Sequence, residues 1–328
     1  SAASDVYKRQ IEHKVEQELK EKKKTLPAHV VRKMCRDYAG KWIDIQRKEF
    51  KRLGVLGNWD DPYKSMNPAY EAATAHELAK FVDKGGVVRA KKPIYWCCSC
   101  HTALAEAEVE YGDHTSPSIF VRFALNDAAL AQRIPGADPS RAYVVIWTTT
   151  PWTLPSNLML AVGLDIDYAV MEENGQKYIL AEALLGRYKK QLEKAVKVGS
   201  LKGKDLVGLG YEPMFPYFKQ LKEKGAFRVL SGEFVSTEDG TGIVHIAPGF
   251  GQDDFEACRA YDENFPIVCP VDEAGKFTAE VPDYQGKQVF ETNEPIMQWL
   301  KENGLLVKKE QYTHSYPFCW RTDTPLIY

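Results

Sequence analysis

Trp147-Thr148-Thr149-Thr150-Pro151-Trp152-Thr153-Leu154-Pro155-Ser156-Asn157 is the stretch on which the reading of this chain turns. The apolar run Tyr143 to Trp147 leads into it and reads as a short buried strand. Pro151 has no backbone N–H and cannot continue a central strand. The chain therefore turns there, with three threonine hydroxyls at a strand tip. Hydroxyls donate and accept hydrogen bonds without carrying charge, which suits holding a water or a sugar hydroxyl. An ordinary strand end made of β-branched residues accounts for the same letters.

A second stretch, Gly240-Thr241-Gly242-Ile243-Val244-His245-Ile246-Ala247-Pro248-Gly249, runs on to Asp253 and Asp254. Its first two glycines permit a tight turn before a strand that ends at His245. Pro248, Gly249 and Gly251 make an irregular loop. Asp253 and Glu256 have capping-box spacing, so Asp253 is expected to cap a helix. That leaves Asp254 at the first helical position without a capping duty. A helix N-terminus favours its charged form, and a fixed carboxylate there suits an ammonium group. His245 reads equally as a satisfied structural histidine.

Both stretches resemble the editing-domain motifs of the isoleucyl-tRNA synthetase family. Where the sister valyl and leucyl enzymes typically carry Arg, this chain has Thr150. His314-Ser315-Tyr316-Pro317 through Pro325 is similar to the segment where that family's chain returns to its catalytic domain. The resemblance covers Ile11 to Tyr328. It implies an α+β fold: a β-barrel editing domain of the valyl/isoleucyl/leucyl-tRNA synthetase type, preceded by a helical segment of the synthetic domain. It implies hydrolysis of the ester in mischarged Val-tRNA(Ile), with the tRNA acceptor end and the rest of the synthetase as partners, in the cytoplasm. In site terms it implies that Asp254 binds the α-amino group. Thr148, Thr149 and Thr150 would position adenosine, ester and water. Asn157 would support the site, while Trp152 and His245 shape the pocket wall. Relatives often have Gly-His-Gly where this chain has Gly249-Phe250-Gly251, so Phe250 is expected to cover the pocket by packing. Editing needs no metal. ATP and Mg serve the parent enzyme, and neither His-x-Gly-His nor Lys-Met-Ser-Lys-Ser occurs here, so no isoleucyl-adenylate formation is expected. Two other readings stay open: a non-catalytic docking module for the tRNA acceptor end, and a zinc-clipped structural domain.

The totals agree with a soluble globular chain: 328 residues, 44% hydrophobic and 27% charged, with a net charge of −2. That charge excludes a globally basic nucleic-acid binder and leaves room only for a local basic face. No apolar run is long enough to span a membrane. Seven cysteines, unevenly spaced, point to thiols or a metal more than to disulfides.

Residues 1–10 are expected to be a cloning remnant, 11–95 a helical segment, 96–108 with 313–328 a cysteine-containing stalk, and 109–312 the editing domain. Lys20 to Lys24 is a charged run, most simply solvated. Val31, Met34, Tyr38, Trp42 and Ile45 mark one helix face, and Asn67-Pro68 marks a helix start. Strands are expected at 118–125, 141–147, 167–171, 177–180, 227–230, 242–246, 267–271 and 305–309, with helices at 181–193, 253–262 and 293–303. Cys97 and Cys100 form half a zinc site, with Cys319 from the far end as a third ligand. Thr322 stands where a fourth cysteine would complete it, which leaves His101, His314 or Asp323 as candidates for the fourth ligand.

Overall fold

The computed structural model describes residues 8–19, 26–133 and 141–328. The Lys20–Lys24 run and most of the expected N-terminal remnant lie outside the described residues. The chain divides into two compact units between Lys91 and Lys92.

The first unit is helical: α1 (Lys8–Leu19), α2 (Ala28–Arg52) and α3 (Pro68–Asp83). The expected cap is present. Asn67 Oδ1 accepts from the Ala69 N–H at 3.1 Å, and Pro68 takes the first helical position, where no N–H is needed. Arg36 donates to both carboxylate oxygens of Glu71, at 2.6 and 2.8 Å, and ties α2 to α3. On α3, the apolar Leu78 and Phe81 stay exposed within this unit.

In the second unit the elements run β1 (Trp96–Cys97), β2 (Thr102–Ala103), β3 (Val109–Ala124), α4 (Leu130–Arg133), β4 (Ala142–Thr148), β5 (Met159–Val162), β6 (Asp167–Glu173), β7 (Gln176–Ala181), β8 (Val196–Lys202), α5 (Gly203–Leu206), β9 (Arg228–Ser231), β10 (Ile243–Ile246), α6 (Gln252–Tyr261), α7 (Asn293–Glu302) and β11 (Leu306–Cys319). They form a six-stranded sheet in the order β11-β3-β4-β7-β6-β8, a three-stranded sheet β10-β5-β9, and the β1-β2 ribbon. Two neighbours are parallel, β4 with β7 and β5 with β9; the rest are antiparallel. Helices and sheets are thus both present, as the expected α+β class requires, and the sheets are mixed.

Side chains alternate across a strand. On β3 and β4 this sends Ile119, Val121, Phe123, Val144, Ile146 and Thr148 to one fully buried face. Phe120, Arg122, Val145 and Trp147 take the other. Tyr168 on β6 joins the two sheets. Its hydroxyl donates to the Gly242 carbonyl at 2.6 Å, just before β10, and accepts from the Gly163 N–H at 3.1 Å, just after β5.

Several expectations need correcting. Residues 267–271 make only the isolated Val271–Phe277 bridge, because Pro266 and Pro270 bring no N–H to a ladder. The helix expected at 181–193 is a 3-10 segment, Glu182–Tyr188, with Gly186 inside it. The strands expected at 118–125 and 305–309 are the ends of one long ribbon that reaches Val109 and Cys319.

Tyr168→Phe is expected to destabilise the chain by about 1–3 kcal/mol, since it strands a buried carbonyl and a half-buried N–H. Denaturant titration with an unchanged slope and a lowered midpoint is the checking result.

Candidate active site

β4 ends at Thr148, and the chain then passes through a 3-10 segment, Pro151–Ser156, in which all six residues are buried. The first hydroxyl stabilises the exit: the Thr150 N–H donates to Thr148 Oγ1 at 3.1 Å. Thr148 and Thr150 hydroxyls lie 3.2 Å apart, and Thr150 and Thr153 hydroxyls 3.4 Å apart. Thr153 donates its hydroxyl proton to the Thr150 carbonyl at 2.9 Å. Its oxygen also lies 3.0 Å from His245 Nε2. With that proton committed, Thr153 accepts from His245, which places the imidazole proton on Nε2. Nδ1 is then a bare acceptor, buried and without a partner among the described residues. Burial pushes the His245 pKa down to about 4, so the ring is neutral at neutral pH. Thr149 is partly exposed and makes no side-chain hydrogen bond among the described residues.

Asp254 reaches the same neighbourhood from α6. Its Oδ2 accepts from the Ala247 N–H at 2.7 Å, two residues beyond His245. Two residues of extended chain span roughly 7 Å. Burial pushes its carboxyl up to about 6; the Ala247 bond opposes that and the Asp253 charge adds to it. Asp254 forms no ion pair among the described residues and keeps part of its surface accessible. The cap expectation for Asp253 is corrected: α6 begins at Gln252, and extended Gly251 holds the cap position without a side-chain bond. Asp253 and Asp254 are its second and third residues, and Asp254 spends a bond on the preceding loop.

The other expected residues form the walls. Trp152 is buried, its ring meeting Phe250 edge-on at 4.9 Å and Phe290 at 6.3 Å. The Trp152 N–H donates to Asn293 Oδ1 at 3.1 Å. Asn157 is a splice. It donates to the carbonyls of Met159 (2.9 Å) and Ile246 (3.5 Å) and accepts from the buried Tyr211 hydroxyl at 2.6 Å. Thr153, Tyr211, Phe290 and Asn293 went unread in the sequence. Only Thr153 carried a signal, as a further threonine three residues past Thr150. Chemically, the arrangement offers neutral donors and acceptors, a neutral imidazole and one carboxylate that ionises above about pH 6.

Away from this site, the sulfurs of Cys97, Cys100 and Cys319 lie within 4.8 Å of one another. Burial opposes the Cys97 thiolate, yet the Cys100 N–H and the hydroxyls of Thr322 and Thr324 outweigh it and pull its pKa down. Three soft sulfurs fit a zinc ion, and the Thr322 and Thr324 hydroxyls lie 3.6 and 3.7 Å from the Cys97 sulfur. His314 is ruled out as a fourth ligand. It sits five residues up β11 from Cys319, roughly 16 Å along the strand, and its Nε2 bonds Ser116 at 3.0 Å.

Residues 5–308 match the family model of class I tRNA synthetases (I, L, M and V), and the chain belongs to that family. It is 53% identical over 320 residues to the isoleucine–tRNA ligase of Desulfovibrio desulfuricans, covering 97% of this chain and 33% of that protein. It is 44% identical to the isoleucine–tRNA ligase of Aquifex pyrophilus, covering 97% of this chain and 61% of that one. The chain thus spans about a third of the length of the first curated relatives it matches. Among solved structures, it is similar to the editing domain of the P. knowlesi cytosolic leucyl-tRNA synthetase, with a TM-score of 0.44, 14% identity, and coverage of 61% of this chain and 97% of that one.

Two results are expected. Asp254→Asn keeps an acceptor for the Ala247 N–H and removes a charge that burial disfavours. A carboxyl whose folded pKa is raised to about 6 loses stability as pH rises through that value. The variant is therefore expected to be more stable at neutral pH by roughly 1–3 kcal/mol, with the gain vanishing towards pH 4 in paired denaturation curves. Thr322→Cys is expected to tighten zinc binding at least tenfold in competition with a chromophoric chelator, by supplying a fourth thiolate, as a rough estimate.

Proposed function

We propose that this chain is the editing module of an isoleucyl-tRNA synthetase, and that it hydrolyses the ester joining valine to the terminal adenosine of tRNA(Ile). In this reading residues 109–312 are the barrel-type editing domain, and 96–108 with 313–328 are its stalk. The observation that carries the reading is the convergence of the Thr148–Thr150–Thr153–His245 chain with Asp254, a carboxylate that meets no cation of the described chain.

An aminoacyl ester presents a free α-ammonium group, and Asp254 supplies the charge that holds it. The neutral hydroxyls orient the ester and the water. Water adds to the ester carbonyl, the acyl–oxygen bond breaks, and the proton passes to the departing ribose oxygen. Neutral His245 orients and does not carry charge. Isoleucine differs from valine by one methylene, worth only about 1–3 kcal/mol, a magnitude already established for isoleucyl-tRNA synthetases choosing between these two amino acids. A synthetic pocket shaped for isoleucine therefore admits valine, and a second pocket that excludes isoleucine by size removes the error. Isoleucine activation, with ATP and Mg, belongs in this reading to the rest of the synthetase.

The purified chain is expected to release valine from Val-tRNA(Ile) faster than isoleucine from Ile-tRNA(Ile), with the difference abolished by Asp254→Ala. After subtraction of spontaneous hydrolysis, the rate is expected to fall about tenfold per pH unit below about pH 6. That inflection persists in His245→Gln, because His245 is already neutral there. Equal, background loss of both amino acids at every pH would end the proposal in favour of a docking role.

A further inference from the structure

A cavity of about 250 Å³ opens on the face of the six-stranded sheet opposite Thr148. Phe120 and Arg122 of β3 point into that side by strand alternation. Its walls include the rings of Phe120, Tyr178 and Tyr188 and the aliphatic Val145 and Leu180. The Tyr188 hydroxyl donates to the Gly240 carbonyl, which fixes that ring. A β-bulge between Leu306 and Lys308 sets Lys308 opposite Phe120, its ammonium 5.1 Å from the ring centre. Bulges of this kind re-aim side chains and gather beside functional sites.

Three charged groups line the cavity, Arg122, Lys308 and Glu173. Lys308 is already paired with Glu310 at 2.6 Å. Arg122 forms no ion pair among the described residues. Its Nη1 donates to two neutral acceptors, Gln176 Oε1 at 3.0 Å and the Tyr178 hydroxyl at 3.2 Å, and its guanidinium lies 4.5 Å over the Tyr143 ring. Its Nε is buried with no partner among the described residues. A buried guanidinium N–H without an acceptor is costly. Nε is closed off from the cavity, so the open donor is Nη2, which makes no hydrogen bond among the described residues and lies 3.5 Å from where a side chain on the cavity-lining Gly304 would begin; it can take one carboxylate oxygen in a charge-assisted bond.

We propose that this cavity binds a small aromatic monocarboxylate, with the ring held by Phe120, Tyr178 and Tyr188 and the carboxylate on Arg122. Glu173 in the wall disfavours a dianion such as a phosphate monoester. The site shares no side chain with the threonine–histidine cluster, and the proposal does not depend on the editing reading.

The test is titration of the full chain with phenylacetate, phenylacetamide and phenyl phosphate, followed by backbone amide NMR shifts. Phenylacetate is expected to bind saturably with shifts at β3, β7 and Tyr188. The amide and the phosphate ester are expected to bind at least tenfold more weakly, the rough worth of one charge-assisted hydrogen bond. Arg122→Met is expected to reduce phenylacetate to the level of the amide, whereas Lys308→Met keeps binding within about threefold, because Lys308 is already paired. The ligand comparison on the unaltered chain needs no variant to fold. Equal binding of acid and amide, tighter binding of the phosphate ester, shifts centred on Thr148 to Asn157, or no saturation at millimolar ligand would each overturn it.

Discussion

Proline cannot extend a central strand, and much of the second unit follows from Pro151 obeying that rule. β4 must leave the six-stranded sheet at Thr148, and the chain enters the second sheet as β5 at Met159. The crossing between them is wholly buried. Buried backbone groups need partners. Thr153 N–H meets the Thr150 carbonyl, Asn157 N–H meets the Leu154 carbonyl, and Trp152 N–H meets Asn293. The threonine hydroxyls are held by the same bonds that make the crossing possible. Their positions are therefore a by-product of a structural necessity.

Burial then sets the electrostatics. It acts in opposite senses on the two titratable groups beside the crossing, lifting Asp254 and depressing His245. Both shifts disfavour charge. At neutral pH the histidine yields completely and stays uncharged, while the carboxylate stays ionised. The result is one negative charge among neutral donors and acceptors. Such a site discriminates in favour of a cationic group while leaving the adjoining hydroxyls free to orient neutral oxygens. The cost of holding the carboxylate ionised falls on folding stability.

How much of this was legible in the letters depends on the range of the interaction. Asn67-Pro68 declared its helix start because a cap is a contact across two residues. The threonine turn was readable because proline's lost N–H is a local fact. The Thr153–His245 contact joins residues 92 apart and could not be read locally. Asp253 misled because its spacing fits a capping box, whereas Gly251 could adopt the extended cap conformation and Asp254 found a better donor in Ala247. β5 and β8 were missed, one for being four residues long between turns and the other for its lysine-rich, exposed alternation.

The long β3–β11 ribbon shows how a register can carry a second site far from the first. Its pairing runs from Leu306 opposite Val121 to Cys319 opposite Val109. Most of it alternates exposed and half-buried residues, so little hydrophobic pattern fixes the register there. The buried end at Cys319 and the packed sheet at Ile119 and Val121 fix it instead, with the bulge near Val307 absorbing the mismatch. A slip of one residue would turn Cys319 to the opposite face and separate it from Cys97 and Cys100. The cysteine cluster is thus a test of strand register as much as a metal-binding geometry. An ion bound by all three sulfurs would in turn stabilise the register that assembles them.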